Sequence, residues 1–170
     1  FRVIDSFSRI VRLGEGLNQG DHLNESAIER TLEALVICAN KMRSNDVAHS
    51  RSIATEACRR AADCHIFYDR VFQETGIELE TVSAEQEAQL TLDGCAQLLD
   101  DRTTQALVFD IGGGSTELIW VERPGDGEAR VLGMMSLPEG VVTLCEKYGS
   151  GAVERQQYEE IIDRIDEGLR

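Results

Sequence analysis

The residues best suited to chemistry lie together at positions 110–117, which read Asp-Ile-Gly-Gly-Gly-Ser-Thr-Glu. A carboxylate near the end of a buried strand, such as Asp110, is costly unless a metal or a donor network compensates it. The glycines permit a left-handed backbone and let main-chain N–H groups approach a ligand, and successive N–H groups form an anion nest. Two hydroxyl donors and a second carboxylate, Glu117, follow. The segment therefore predicts a phosphate-binding loop.

The elements around this loop exclude two better-known phosphate motifs. A dinucleotide fingerprint leads into a helix, whereas the glycines here lead into a predicted strand at residues 116–121. A Walker loop needs Gly-Lys-Ser/Thr, which the chain lacks. A glycine hairpin between two strands, with an aspartate in front, resembles the phosphate loops of the actin, sugar kinase and heat-shock ATPase superfamily. A purely structural glycine hairpin is the alternative.

The apolar periodicities predict an α/β chain. Residues 1–100 read as alternating strands and helices with parallel strands, and residues 101–170 open a second lobe with an antiparallel meander. Asn24 is the predicted N-cap of the first long helix, with a Ser26–Glu29 capping box as the alternative, and Gly76 is a predicted helix end. The predicted strands are 1–13 (or a hairpin), 47–54, 77–83, 106–111, 116–122 and 130–137, and the predicted helices are 25–43, 55–62, 66–75, 85–99, 141–148 and 154–169.

Composition narrows the class of protein. The 170 residues are 42% hydrophobic and 28% charged, as in ordinary globular domains. The net charge of −14 argues against nucleic acid as a partner, and no apolar run reaches the roughly 18 residues of a membrane span. Five cysteines without a Cys-x-x-Cys pair predict a reducing, cytoplasmic environment. Cys58, Cys64 and His65 are imaginable as metal ligands, but small residues on helix faces are the better interpretation.

Other segments, taken together with the loop, resemble the exopolyphosphatase / guanosine pentaphosphate phosphohydrolase family over nearly the whole chain. Singly, only the glycine loop is specific, whereas the set in this order and spacing is strongly so. The matching segments are Arg-Leu-Gly-Glu-Gly-Leu at 12–17, Ala-Thr-Glu-Ala-Cys-Arg-Arg-Ala at 54–61, Val-Ser-Ala-Glu-Gln-Glu-Ala at 82–88, the loop itself, and Ser-Leu-Pro-Glu-Gly-Val-Val at 136–142.

The resemblance implies an activity and a fold. The activity is hydrolysis of the terminal phosphoryl group of polyphosphate or guanosine pentaphosphate, usually with Mg²⁺. The fold is the ribonuclease-H-like, actin-like ATPase pair of lobes, with the site in the cleft. A homodimer is also consistent with the family, and these residues do not separate the two substrates.

The same resemblance assigns roles to individual residues. Glu87 matches the general base that deprotonates the attacking water, although a carboxylate in the first turn of a helix is also a simple capping group. The other matched residues are Gly112, Gly113, Gly114 and Ser115 for phosphate, Thr55 and Arg59 in a substrate-binding turn, and Asp110 and Glu117 near the metal or water.

The chain also departs from the family pattern. The family's first Asp-x-Gly-Ser/Thr-Asn-Ser loop is not in the sequence, so we expect an architecture incomplete at both ends, with weak phosphate binding and poor turnover by these 170 residues alone. Ala84, Gln86 and Gln89 replace the more frequent Gly, Glu and Arg. Two other functions stay open: a non-catalytic phosphate- or nucleotide-binding regulator on this fold, and an actin-like ATPase or sugar kinase.

Overall fold

The computed structural model describes residues 2–100, 102–125 and 127–170, and they form a mixed α/β arrangement, as predicted. No helix in these ranges combines the length and apolarity needed to cross a bilayer. A 3-10 turn lies at Ala96–Leu98. The elements are α1 Glu25–Ser44, β1 Ser52–Ala54, α2 Glu56–Arg60, α3 Cys64–Thr75, β2 Leu79–Thr81, α4 Ala84–Cys95, β3 Gln105–Ile111, β4 Thr116–Glu122, β5 Arg130–Leu137, α5 Val141–Tyr148 and α6 Arg155–Gly168.

The described chain divides into two compact units between Val82 and Ser83. The sequence instead predicts lobes of 1–100 and 101–170. The difference arises because α4 packs Ala88 and Leu92 against the sheet of β3, β4 and β5, and so belongs with that sheet. The assignment of lobes itself stays a prediction.

The first unit is built on α1 and α3, with β1 and β2 forming a parallel pair. The amide of Ser26 donates to Asn24 Oδ1 at 2.9 Å, so Asn24 is the cap that α1 uses. Gly76 ends α3 with φ 74°, the left-handed conformation that glycine accepts without strain. The core between the helices includes the buried side chains of Leu32 and Phe67.

Three strand predictions in this unit are wrong in extent. Residues 2–12 form no regular element, and Val3, Ile4 and Ile10 are 82%, 73% and 85% exposed. Alternating apolar residues do not make a strand without a partner that satisfies the backbone hydrogen bonds. The strands predicted over 47–54 and 77–83 form only at Ser52–Ala54 and Leu79–Thr81, where they pair with each other.

The second unit contains the predicted antiparallel meander, in the order β3–β4–β5. The register pairs Ile111 with Thr116 and Asp110 with Glu117, and it pairs Glu117 in turn with Ser136. The side chains of Asp110, Glu117 and Ser136 therefore lie in one row on the same face of the sheet. This is also the face that α4 covers, because Ile119 and Val121 pack against that helix.

Candidate phosphate site

The glycine loop is the tight hairpin that joins β3 to β4. The amide of Gly112 donates to the carbonyl of Ser115 at 2.9 Å, which closes the loop on itself. Neither Gly112 nor Gly113 has a positive φ. Space is tight at both positions, because a Cβ on Gly112 would lie 3.2 Å from the Ser115 carbonyl oxygen and one on Gly113 would lie 3.3 Å from Val142 Cγ2.

The first amides of α5 form hydrogen bonds with the carbonyl groups of this loop. The first amides of a helix have no acceptor within the helix. Here the amide of Val141 donates to the Gly112 carbonyl at 3.0 Å, and that of Val142 donates to the Gly113 carbonyl at 2.8 Å. The Thr143 amide reaches the same Gly113 oxygen at 3.3 Å. Two consecutive carbonyl oxygens of the loop are thereby fixed toward α5.

The hydrogen bonds from α5 to the loop carbonyls determine where the loop amides point. In a trans peptide the C=O of one residue and the N–H of the next point in opposite directions. With the carbonyls of Gly112 and Gly113 facing α5, the N–H groups of Gly113 and Gly114 face away from it. Among the described residues, no acceptor is found for the amides of Gly113, Gly114 or Ser115. The loop therefore presents main-chain donors on its open side.

Gly140 allows α5 to approach the loop this closely. A Cβ at this position would lie 2.5 Å from both the carbonyl carbon and the oxygen of Gly113, and 2.7 Å from the Gly112 oxygen. Thr143 stabilises the start of α5 through two hydrogen bonds. Its Oγ1 accepts from the Gly140 amide at 2.7 Å and donates to the Gly140 carbonyl at 3.0 Å. Both residues are buried. Any side chain at 140 would force the loop and the helix apart.

Two carboxylates lie at the base of the loop. Glu117 is 1% exposed, and one of its oxygens accepts from Ser136 Oγ at 2.9 Å. Asp110 Oδ2 accepts from Thr91 Oγ1 at 2.8 Å. Within the described ranges neither carboxylate forms an ion pair, although they are cross-strand neighbours. Two adjacent, uncompensated acids, one of them buried, favour a bound cation.

Glu87 lies in the first turns of α4, whose start the sequence fixes with a capping box. Ser83 Oγ accepts from the Gln86 amide at 3.2 Å, and Gln86 Oε1 accepts from the Ser83 amide at 2.9 Å. The Gln86 side chain, one of the departures from the family pattern, thus caps the helix. Glu87 is half-buried and lies one helical turn before Thr91, on the same face of α4.

The direction of α4 places Glu87 on the loop side of Asp110. At the far end of the sheet, Arg123 follows β4 and its Nη1 donates to the carbonyls of Leu99 and Asp100, at 3.3 and 3.5 Å. The C-terminal end of α4 therefore lies at the end of the sheet that is far from the glycine loop. Its N-terminal turns, which include Glu87, lie at the end near the loop. The structure brings Glu87, Asp110, Glu117 and the loop into one unit.

Thr55 and Arg59 lie in the first unit, at the start of α2 and within it. The carbonyl of Thr55 accepts from the Arg59 amide at 3.0 Å. The Arg59 guanidinium donates to the Val82 carbonyl at 3.0 Å and to Glu56 at 3.1 and 3.3 Å. Arg59 is thus engaged with protein groups, and the phosphate-binding role of both residues stays a prediction.

Four residues that shape this site have no functional role that the sequence predicts: Thr91, Ser136, Gly140 and Thr143. One signal for Gly140 is present in the sequence, because a glycine directly before an apolar helix start is a common N-cap. For Thr91 and Ser136 the local pattern carries no such signal. Their contacts join residues 19 apart in the chain, and only the packing of α4 and β5 creates them.

Comparison with known proteins places the chain in a phosphatase group. The model of the Ppx/GppA phosphatase family matches residues 1–169. A solved exopolyphosphatase-like protein is 27% identical with a TM-score of 0.84, over 99% of this chain and 54% of that one. An exopolyphosphatase from Cytophaga hutchinsonii is 26% identical, with a TM-score of 0.82 over 94% and 50% of the two chains. The Aquifex aeolicus member of the Ppx/GppA family is 29% identical, with a TM-score of 0.67 over 95% and 51%. The chain thus spans about half the length of these structures, and its fold is that of the actin-like ATPases.

Proposed function

Because this chain belongs to the Ppx/GppA phosphatase family, we propose that its site hydrolyses the terminal phosphoanhydride of inorganic polyphosphate or of guanosine pentaphosphate. The loop from Gly113 to Ser115 holds the terminal phosphoryl group, and Glu87 acts as general base on the attacking water. Asp110 and Glu117 bind Mg²⁺. Exopolyphosphatases among the similar structures support this reaction class.

The orientation of the loop amides carries the proposal. Phosphoryl transfer depends mainly on positioning and on stabilising charge at the phosphoryl oxygens. Donors that α5 fixes in place supply both, because they need no reorganisation when the substrate arrives. The Gly112 amide is used within the loop, so we assign phosphate binding to the amides of Gly113, Gly114 and Ser115 and give Gly112 the role of closing the hairpin.

The chemical step follows from this placement. A water oxygen attacks the terminal phosphorus, the bridging P–O bond breaks, and inorganic phosphate leaves together with the shortened chain. Glu87 accepts the proton that the water loses. A carboxylate held within reach of the nucleophilic water contributes about 10²- to 10⁴-fold as a general base.

The carboxylates of Asp110 and Glu117 fit Mg²⁺ although they are only two ligands. In the part of the chain that the structure describes, no three His, Cys, Asp or Glu side chains come together as a metal site. Mg²⁺ does not need three, because it keeps several waters and is commonly held by one or two carboxylates and by substrate phosphates. The ion would neutralise charge on the phosphoryl oxygens. Asp110 and Glu117, which form no ion pair with the described residues, would hold it.

The test is phosphate release from tripolyphosphate, long polyphosphate and guanosine pentaphosphate by the full-length protein, with and without Mg²⁺. We expect Glu87→Gln to lower kcat by about 10²- to 10⁴-fold, because the amide cannot accept the proton. Glu85→Gln, the same substitution two residues earlier in the same turn, should leave kcat within about twofold. If Glu87→Gln keeps full hydrolysis, the general-base assignment is wrong.

The same assay distinguishes a non-catalytic regulator that binds phosphate or nucleotide on this fold. Such a protein would release no phosphate from any of the three substrates, and Glu87→Gln would leave its binding of tripolyphosphate unchanged. The comparison between long polyphosphate and guanosine pentaphosphate then decides the substrate, because both end in the same phosphoanhydride and differ only beyond it.

A further inference from the structure

The hydroxyl group of Thr91 makes an unusual contact for a threonine within a helix. Such hydroxyls often donate to the carbonyl four residues earlier. Thr31 does so with Ala27 at 2.7 Å, and Thr75 does so with Val71 at 2.6 Å. Thr91 instead donates to Asp110 Oδ2 at 2.8 Å, across the interface between α4 and β3.

The apolar contacts between α4 and the sheet do not fix the helix along its axis. Ala88 and Leu92 pack against Ile119 and Val121, and apolar contacts of this kind are non-directional. A hydrogen bond to a carboxylate is directional and is roughly twice as strong as one between neutral groups. The Thr91–Asp110 bond is therefore a contact that defines the position of α4 relative to β3.

That position matters for Glu87. Glu87 lies one turn before Thr91, about 6 Å along the helix axis. Asp110 lies two residues before Gly112, where the loop closes. The Thr91–Asp110 bond thus links the strand that leads into the phosphate loop to the helix that carries the proposed base. A slip of α4 along the sheet would change the distance between Glu87 and the loop.

We propose that Thr91 is a positioning residue that sets Glu87 and Asp110 relative to the phosphate loop. This inference rests on the hydrolytic function proposed above. Thr91 does not contact the substrate, and it acts through the two carboxylates. Loss of its hydroxyl should lower kcat by misplacing the base while leaving substrate binding by the loop amides largely intact, since a displacement of about 1 Å can cost about 10²-fold in rate.

The experiment compares Thr91→Val with Thr91→Ser in the full-length protein, with tripolyphosphate as substrate. We expect Thr91→Val to lower kcat about tenfold or more with KM within about twofold of wild type, and Thr91→Ser, which keeps the hydroxyl, to retain wild-type kcat. Thr31→Val is the matched control, because that hydroxyl donates to the Ala27 carbonyl within its own helix, and it should leave kcat unchanged. Thr91→Ala gives the same test in a better helix former if the valine variant does not fold.

Two outcomes overturn the inference. Either Thr91→Val and Thr91→Ala keep wild-type kcat, or Thr91→Ser loses activity as far as Thr91→Val does, so that the hydroxyl is not the cause. Including Glu87→Gln in the same series separates the two proposals. An inactive Glu87→Gln beside a fully active Thr91→Val removes only the role of Thr91, whereas an active Glu87→Gln removes the proposed hydrolytic mechanism itself.

Discussion

Replacement of Gly140 by alanine tests the proposed origin of the loop geometry. The added Cβ would lie 2.5 Å from the carbonyl carbon and oxygen of Gly113, whereas ordinary contacts begin near 3.4 Å. The loop and the start of α5 must therefore separate by about 0.9 Å, the difference between these two distances. The neighbouring atoms belong to backbone, so no side-chain rotation can relieve the contact.

The expected effect follows from the size of that shift. Hydrogen bonds from amides to phosphate oxygens tolerate only a few tenths of an ångström, and a misplacement of about 1 Å can cost about 10²-fold in rate. We expect kcat/KM for tripolyphosphate to fall about 10²-fold. Overpacking of this kind also destabilises, by about 1–3 kcal/mol, so Tm should fall moderately.

The assay is steady-state phosphate release at a temperature well below the Tm of the variant, with Gly133→Ala as control. Gly133 lies in β5, where an added Cβ meets nothing within 4 Å, so that variant should keep wild-type kcat/KM. A second readout is the ¹⁵N–¹H spectrum of the loop glycines during titration with inorganic phosphate, in which Gly113 and Gly114 should respond in the wild type and much less in the variant. A folded Gly140→Ala protein with wild-type kcat/KM would refute the argument that α5 sets the orientation of the loop.

Two further predictions concern buried groups. Glu117→Gln removes a buried charge that accepts a hydrogen bond from the Ser136 hydroxyl, so the Tm of this variant in EDTA should be higher than that of the wild type. The concentration of Mg²⁺ needed for half-maximal activity should also rise. An unchanged Mg²⁺ dependence would count against Glu117 as a ligand. Burial, together with the neighbouring Cys64 thiol, raises the pKa of the Cys58 thiol from 9.0 to about 12. The stability that the neutral thiol contributes is therefore complete below about pH 9 and is lost as the pH rises toward 12. Urea unfolding at pH 8 and pH 10.5 should therefore show a smaller alkaline loss of stability in Cys58→Ala than in the wild type, and equal losses would contradict this.

The two strands that follow the glycine loop show what local sequence can determine. The residue types, and the turn residues between the two segments, predict the strands 116–122 and 130–137 with the bounds that the structure has, because adjacent antiparallel strands need only local pairing. The caps at Asn24 and Gly76 are likewise local, since each satisfies backbone groups within a few residues. The order and spacing of the motifs identified the family, which the match over residues 1–169 confirms.

Features that depend on distant parts of the chain needed the tertiary structure. Residues 2–12 have an alternating pattern but form no strand, because a strand exists only with a partner. Arg59 is a suitable phosphate ligand by residue type, yet its guanidinium binds Glu56 and the carbonyl of Val82, 23 residues away.

Residue types and their local order are enough to predict that a glycine loop with flanking acids lies between two strands. They do not determine which way the loop amides point. That direction is set by Gly140 and the first amides of α5, which meet the loop carbonyls from about 28 residues further along the chain. The physical reason is that a peptide plane is oriented by whichever partner binds its carbonyl, and here only the packing of α5 against the loop supplies that partner.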